Sequence, residues 1–418
     1  MDFRALATVV AVLATGVVPV TAGASVNTQR AAPVATPCPK AKAPKVLRSP
    51  RPTPPPSVAE HRVVGGDALA TPGLVVPPQA PTPPKVTATS WVVADLDTGE
   101  VLGGCGPHEY ATPASVQKLL LAATMLPRLD PNEVVTITAG DLDIEPGSSA
   151  VGLVAGGRYR IETLWLGLLL RSGNEVANAL ARLGGGADGM AGGLRAMNEQ
   201  ARQLGAYQTH AATPSGLDGP GQFTSAYDLA LIARACFDDE HFRRYVATRE
   251  ADIPAQPKQR TKGFTIDNDN QLLYRYPGAL GGKTGYTDLA RHTYVGAAER
   301  NGRRLVVTLL GADVIDQRGW QQGAALLDWG FTLPRDASVG VLVRPGATTA
   351  SAPPSTMPPQ ALPGGASGGE PTDRHPLADP LRSASYVLLA VGLTVLVGAL
   401  ISRRRRLRTA GRAPTSRG

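Results

Sequence analysis

Cysteine is scarce: Cys38, Cys105 and Cys236 are the only three in 418 residues. Three is too few for a disulfide scaffold, although one pair can form in an oxidising compartment and leave one thiol free. The sequence does not say which pair. Their spacings fit no zinc pattern and no H-E-x-x-H run occurs, so no metal site and no cofactor are expected. A basic face is also missing. The formal net charge is +8, but residues 402–418 carry seven arginines and no acid, and residues 1–85 carry nine bases against three acids. The body between is therefore mildly acidic, which argues against nucleic-acid binding. Lysine is nearly absent from that body: Lys85, Lys118, Lys258, Lys262 and Lys283 are all it has between 85 and 345. No internal repeat is evident.

The ends of the chain carry targeting signals. Arg4, the apolar run Ala5 to Val18 and the A-x-A-like Ala22-Gly23-Ala24 read as a signal peptide over 1–24. The alternative, an N-terminal anchor, is disfavoured because the run is short for a span. Residues 383–402 are uncharged and largely apolar, and Arg403 to Arg406 and Arg408 follow at once. That pattern predicts one transmembrane helix with a cytoplasmic tail at 403–418 and an extracytoplasmic body. A buried core helix is rarely followed by five arginines, and a removed lipid-anchor signal would end on its apolar tail.

Proline divides the rest. Residues 25–84 and 346–382 are rich in Pro with Ala or Gly and read as disordered spacers. One globular unit of residues 85–345 remains. Within it Trp91 to Leu96 and Glu100 to Leu102 read as a hairpin across Asp97-Thr98-Gly99. Helices are expected over Ser115 to Leu126, over a long apolar stretch from Ile161 to Leu183, over Leu194 to Leu204 and over Tyr227 to Cys236. Gly282 to Thr287, Thr293 to Ala298 and Leu305 to Leu310 read as strands, with Asn301-Gly302 as a turn and Gly323 to Phe331 as a closing helix. This order predicts an α+β fold: an antiparallel sheet with helices inserted between its strands.

Three short motifs carry chemistry. Ser115-Val116-Gln117-Lys118 is S-x-x-K at a helix start. Residues i and i+3 share a face, so the lysine amine can lie beside the serine hydroxyl. A serine needs a base to become a nucleophile, and a lysine serves only when its pKa is lowered. Ser172-Gly173-Asn174 is S-x-N at the end of an apolar helix, with a hydroxyl to relay a proton and an amide to hold a peptide. Lys283-Thr284-Gly285 is K-T-G on an expected strand, suited to meeting a carboxylate while its glycine lets a ligand approach. Each alone is weak: a surface helix pair, a helix cap and a turn would produce them. Together they stand in the order S-x-x-K, S-x-N, K-T-G, and two of the body's five lysines fall in them. That set occurs in penicillin-binding proteins and class A β-lactamases.

The chain resembles the low-molecular-mass penicillin-binding proteins, the serine D-alanyl-D-alanine carboxypeptidases. The likeness extends through Met197-Asn198-Glu199 to Leu204-Gly205, Ser215-Gly216-Leu217-Asp218, Gly221-Gln222, Ser225 to Leu229, and Asn268, Asn270, Leu272 and Leu273. It implies the DD-peptidase/β-lactamase-like fold, an antiparallel sheet flanked by helices with a helical subdomain. It also implies peptidoglycan stem peptides as substrates and β-lactam antibiotics as covalent inhibitors. Ser115 would be acylated, Lys118 would be the general base and Ser172 would pass the proton to the leaving amine. The N–H groups of Ser115 and Tyr286 would form the oxyanion hole. Asn174 and Gly285 would line the substrate site, Lys283 and Thr284 would bind the terminal carboxylate, and Arg318 stands where the family has a second carboxylate-binding arginine. Tyr286 departs from the pattern, since histidine is frequent there. A β-lactamase is the alternative, but no E-x-x-L-N lies between S-x-N and K-T-G. A DD-endopeptidase would use the same groups, and a non-catalytic penicillin sensor would have had reason to lose Ser115 or Lys118.

Overall fold

The structure is a computed structural model that describes residues 35–42 and 53–346. The expected signal peptide (1–24), the C-terminal spacer (346–382) beyond its first residue, the transmembrane helix (383–402) and the basic tail (403–418) lie outside the described residues. Among the described residues no helix is long and apolar enough to cross a membrane.

The strands are β1 (Leu74–Val75), β2 (Ser90–Asp95), β3 (Glu100–Cys105), β4 (Val134–Thr136), β5 (Arg158–Arg160), β6 (Glu250–Ile253), β7 (Phe264–Asp267), β8 (Ala279–Thr287), β9 (Arg291–Arg300), β10 (Arg303–Ala312) and β11 (Gly340–Val341). The helices are α1 (Ala59–Arg62), α2 (Lys118–Met125), α3 (Ile161–Arg171), α4 (Asn174–Gly184), α5 (Gly189–Gln203), α6 (Ala226–Asp238), α7 (Glu240–Ala247), α8 (Leu272–Arg275) and α9 (Gly319–Thr332). A seven-stranded sheet runs β1-β3-β2-β10-β9-β8, with β11 also pairing β3, and every pairing is antiparallel. The elements from α2 to α8 are inserted between β3 and β8, as the order of sequence patterns implied. The hairpins β4-β5 and β6-β7 form two small separate sheets.

Both faces of the large sheet are buried. Val92, Ala94, Val295, Ala297, Val306 and Leu310 face a core shared with α2 and α6. Trp91, Val93, Tyr294, Leu305, Val307 and Leu309 face a second core under α9. This explains why Trp91 to Ala94 is an unbroken apolar run and not an alternating one. The hairpin turns follow their chemistry. Asp95 Oδ1 accepts from the N–H of Asp97 at 3.0 Å and of Thr98 at 3.1 Å. Asn301 and Gly302 both take positive φ, at 52° and 66°, the pattern of a tight hairpin turn.

One expectation is corrected. The spacer drawn over 25–84 is folded through much of its described length. Leu69 is fully buried, Val64 nearly so, and β1 adds to the sheet. Residues 35–42 are fastened too: Cys38 is bonded to Cys105 on β3, and Lys40 bridges Val86. Proline content signalled disorder, but scattered apolar anchors and one covalent tie hold an extended chain against the sheet. The helical stretch Ile161 to Leu183 is two helices, and the S-x-N motif stands at the end of the first, as expected. Between α3 and α4 the chain breaks at Ser172, whose φ is 63°. A left-handed non-glycine residue costs of order 1–3 kcal/mol and persists only where its surroundings impose it.

The Cys38–Cys105 bond closes a 67-residue separation. Cross-links of this kind stabilise by about 2–4 kcal/mol through loss of unfolded-chain freedom. Cys38→Ser should lower the denaturant midpoint of unfolding accordingly, and an unchanged midpoint would show that the strap contributes nothing.

Candidate active site

The sequence brings the three motifs to one place. Ser115 lies in a tight 3-10 turn, Ala114–Gln117, that runs directly into α2. In such a turn residues i and i+3 eclipse, so Lys118 falls directly beside Ser115. The turn is held from outside. Ala114 has φ 50°, and Thr293 Oγ1 on β9 donates to the Pro113 carbonyl at 2.7 Å. Gly216 packs against the same turn, and a Cβ there would lie 2.0 Å from the Ala114 carbonyl oxygen.

Lys118 is fully buried. Its Nζ lies 2.8 Å from Ser115 Oγ, 2.7 Å from Asn174 Oδ1 and 3.1 Å from the Ser215 carbonyl oxygen. Burial and the charge of Lys283 hold its pKa well below the ordinary lysine range, with Glu175 pulling the other way. A neutral amine has two N–H donors and one lone pair. The amide oxygen and the carbonyl can only accept, so they take the two donors. The lone pair is left for the Ser115 hydroxyl proton, which is the geometry a general base requires.

The break at Ser172 sets the second motif. It lets α4 begin at Asn174, whose Oδ1 reaches Lys118 while its backbone N–H donates to the Ser149 carbonyl at 2.9 Å. Ser172 Oγ is buried with no hydrogen-bond partner among the described residues and lines the same cleft as Ser115. Glu175, next in sequence, is buried and accepts from the N–H groups of Val151 and Gly152 at 2.6 and 2.9 Å. It thereby fixes the segment that forms one cleft wall.

The third motif stands on β8, the edge strand beside the nucleophile. A Cβ on Gly285 would meet Thr293 Oγ1 at 2.4 Å and the Ser115 backbone nitrogen at 2.8 Å, so only glycine permits this approach. Thr284 is half-buried and lines the cleft. Lys283 is 2% exposed and lies behind that wall, donating to the Thr284 carbonyl at 2.8 Å. Burial pushes its pKa down to about 8, with Asp269 opposing. Tyr286 is 48% exposed and lines the cleft. Arg318, by contrast, is exposed at the start of α9 and is not among the cleft residues, although its charge reaches His292, which is.

The cleft measures about 780 Å³. Some of its parts carried no assigned role in the sequence. Ser215 contributes through its backbone carbonyl, which has no side-chain signature. Asp218 binds Thr287 Oγ1 at 2.7 Å and ties its loop to the end of β8. Both lie in the S-G-L-D stretch, the one available signal. The wall from Glu145 to Ser149 gave none. No group of three or more metal-ligating side chains occurs among the described residues.

Known proteins of one family resemble this chain. Residues 77–314 match the peptidase S11 family model, described as D-alanyl-D-alanine carboxypeptidase. The chain belongs to the D-alanyl-D-alanine carboxypeptidase family. Among curated members of this family it is 44% identical over 264 residues to DacB2 of Mycobacterium tuberculosis, covering 62% of this chain and 87% of that one. It is 34% identical over 269 residues to DacD of Escherichia coli, covering 60% and 65%. A crystal structure of a D-alanyl-D-alanine carboxypeptidase from M. tuberculosis H37Rv aligns with TM-score 0.60 and 42% identity, over 64% of this chain and 99% of that one. The Streptomyces K15 DD-transpeptidase aligns with TM-score 0.58 and 26% identity, over 60% and 100%. The family's α+β fold is therefore present in this S11 peptidase.

The close approach at Gly285 yields a test. Gly285→Ala should fold, because the collision is local, yet lose roughly 100-fold in the rate at which penicillin acylates it, the scale of one disturbed oxyanion donor. A rate within about 2-fold of wild type would show that strand and nucleophile need not be this close.

Proposed function

We propose that this S11 peptidase is a serine D-alanyl-D-alanine carboxypeptidase that removes the terminal D-alanine of peptidoglycan pentapeptide stems through an acyl-enzyme on Ser115. The observation that carries this reading is the buried, low-pKa Lys118 amine 2.8 Å from Ser115 Oγ. Lys118 takes the hydroxyl proton as Ser115 attacks the carbonyl between the two D-alanines. The N–H groups of Ser115 and Tyr286 stabilise the oxyanion. Ser172 passes a proton to the leaving amine as the C–N bond breaks, and water then releases the shortened stem. Asn174 and Gly285 shape the cleft around the peptide. Thr284 receives the terminal carboxylate at the cleft surface, and Lys283 supports it with charge from behind. Arg318 adds positive potential at the same end. A β-lactam presents a similar carbonyl and acylates Ser115 in the same way.

The body acts outside the cytoplasmic membrane in this reading, held by a single span at 383–402 with the basic tail inside. The Cys38–Cys105 bond supports this, since structural disulfides form and persist in oxidising compartments. The signal-like start and the arginine-flanked apolar run support it from the sequence. Protease added to intact spheroplasts should digest the body and spare a tag placed after Gly418. Protection of the body would contradict this topology.

The reaction is tested by the product from a pentapeptide muropeptide. Free D-alanine and a tetrapeptide are expected, whereas cleavage confined to cross-linked dimers would make the protein an endopeptidase. The pH dependence carries a sign. Lys283 is a cation below its pKa of about 8 and neutral above it. KM for a substrate with a free terminal carboxylate should therefore rise as pH passes about 8, and the rise should vanish in Lys283→Arg, which stays charged. A flat KM in the wild type would remove Lys283 from carboxylate binding.

A further inference from the structure

The side chain of Tyr286 has no part in the chemistry so far, which uses only its backbone N–H. Its position is defined by strand register. On β8 and β9, Tyr286 pairs with His292, Gly285 with Thr293 and Thr284 with Tyr294. Side chains alternate across a strand. Gly285 and Thr293 face the nucleophile turn, as their contacts with Ser115 and Pro113 demonstrate. Thr284, Tyr286, His292 and Tyr294 therefore stand on the opposite face, toward α9. A Cβ on Gly319 of α9 would lie 3.7 Å from Tyr294 Cβ and 3.9 Å from His292 Cβ, which fixes that face.

Charge of both signs surrounds this part of the cleft. Lys283 lies behind Thr284, and Arg318 charges the surroundings of His292. Asp288 lines the cleft beside Tyr286, Asp269 lies close enough to Lys283 to raise its pKa, and Glu145 and Asp218 line the cleft as well. In the carboxypeptidase reading the terminal carboxylate sits at Thr284, two residues from Tyr286 on the same face of β8, which puts the leaving residue beside the Tyr286 ring.

The ring there is held in place. It packs on His292 at 4.7 Å between centroids, its hydroxyl donates to Asp288 Oδ1 at 3.1 Å, and the Arg291 guanidinium lies 5.7 Å from its centre. A tethered aromatic ring makes a wall and not a swinging gate. We propose that the Tyr286 ring, backed by His292, is a specificity-determining wall that restricts the leaving residue to one with a side chain as small as a methyl group. The proposal rests on the carboxypeptidase reading above. It gives that reading a physical basis for choosing free termini over cross-links, because the leaving amine of a cross-linked stem carries a longer, branched chain.

The test is a pair of blocked peptides ending in D-Ala-D-Ala and D-Ala-D-Leu, with kcat/KM measured for the wild type, Tyr286→Ala and Tyr286→Phe. Penicillin acylation of Ser115 serves as the check that each variant has an assembled site. The wild type should prefer D-Ala-D-Ala. Tyr286→Ala should shrink that preference by about 10-fold or more, the scale at which a pocket discriminates added methylene groups. Tyr286→Phe should retain it, because the ring remains. If Tyr286→Ala is not acylated, Tyr286→Val, a residue suited to strands, makes the same comparison. An unchanged preference in the Ala or Val variant, or a wild type that does not discriminate, would overturn the proposal. Equal loss of preference in Tyr286→Phe would also overturn it, by assigning the effect to the hydroxyl. A wild type that is acylated by penicillin yet cleaves neither peptide would overturn the carboxypeptidase reading, and this proposal with it.

Discussion

The contact between the Lys118 amine and the Ser115 hydroxyl is the constraint around which the rest of the molecule is arranged. A buried lysine is costly as a cation. It is sustainable here because its amine meets two acceptors, Asn174 Oδ1 and the Ser215 carbonyl, and one hydroxyl. Each partner comes from a different part of the chain. The 3-10 turn supplies Ser115, the break between α3 and α4 supplies Asn174, and the loop after α5 supplies Ser215. The left-handed backbone at Ala114 and Ser172 follows from this convergence. Regular helix at either position would aim the side chain elsewhere. Strain of this kind is tolerable because two packed cores on either face of the sheet fix the surrounding frame.

The second lysine divides the labour. Lys283 is buried as well, but Asp269 partly offsets the cost and its pKa falls only to about 8. Its remaining charge lowers the pKa of Lys118. Burial and the charge of Lys283 together lower the Lys118 pKa, while Lys283 itself leaves positive potential next to Thr284. The edge position of β8 makes this usable, since one side of the strand is open to ligand while the other pairs with β9. Gly285 then allows the strand to come close to the Ser115 backbone N–H.

Much of this was legible in the sequence, for identifiable reasons. The apolar strands, the Asn301-Gly302 turn and the helices at α2, α5, α6 and α9 follow from local pattern and turn chemistry. The motif residues were legible because S-x-x-K, S-x-N and K-T-G each need particular residue types at fixed spacing. What escaped depends on tertiary context. The helix end at Ser172 was legible, but its left-handed backbone has no local signature. The fold of residues 59–84 escaped because proline content outweighed a few anchors such as Leu69. The Cys38–Cys105 pairing and the carbonyl of Ser215 have no local signature. Arg318 was singled out by its neighbours in sequence, yet it stands outside the cleft lining, and its charge reaches the cleft residue His292.

The central claim is that Lys118 works as a neutral base on Ser115. The most direct test is the second-order rate of penicillin acylation as a function of pH, for the wild type and for Lys118→Ala. Because the folded pKa of Lys118 is depressed, the amine is neutral above that pKa and protonated below it. The wild-type rate should fall as pH drops through the depressed pKa and protonates the amine, whereas Lys118→Ala should be slower by several orders of magnitude and lack that limb. Acylation of Lys118→Ala at a near wild-type rate with the same pH profile would contradict the account and assign the base to another group.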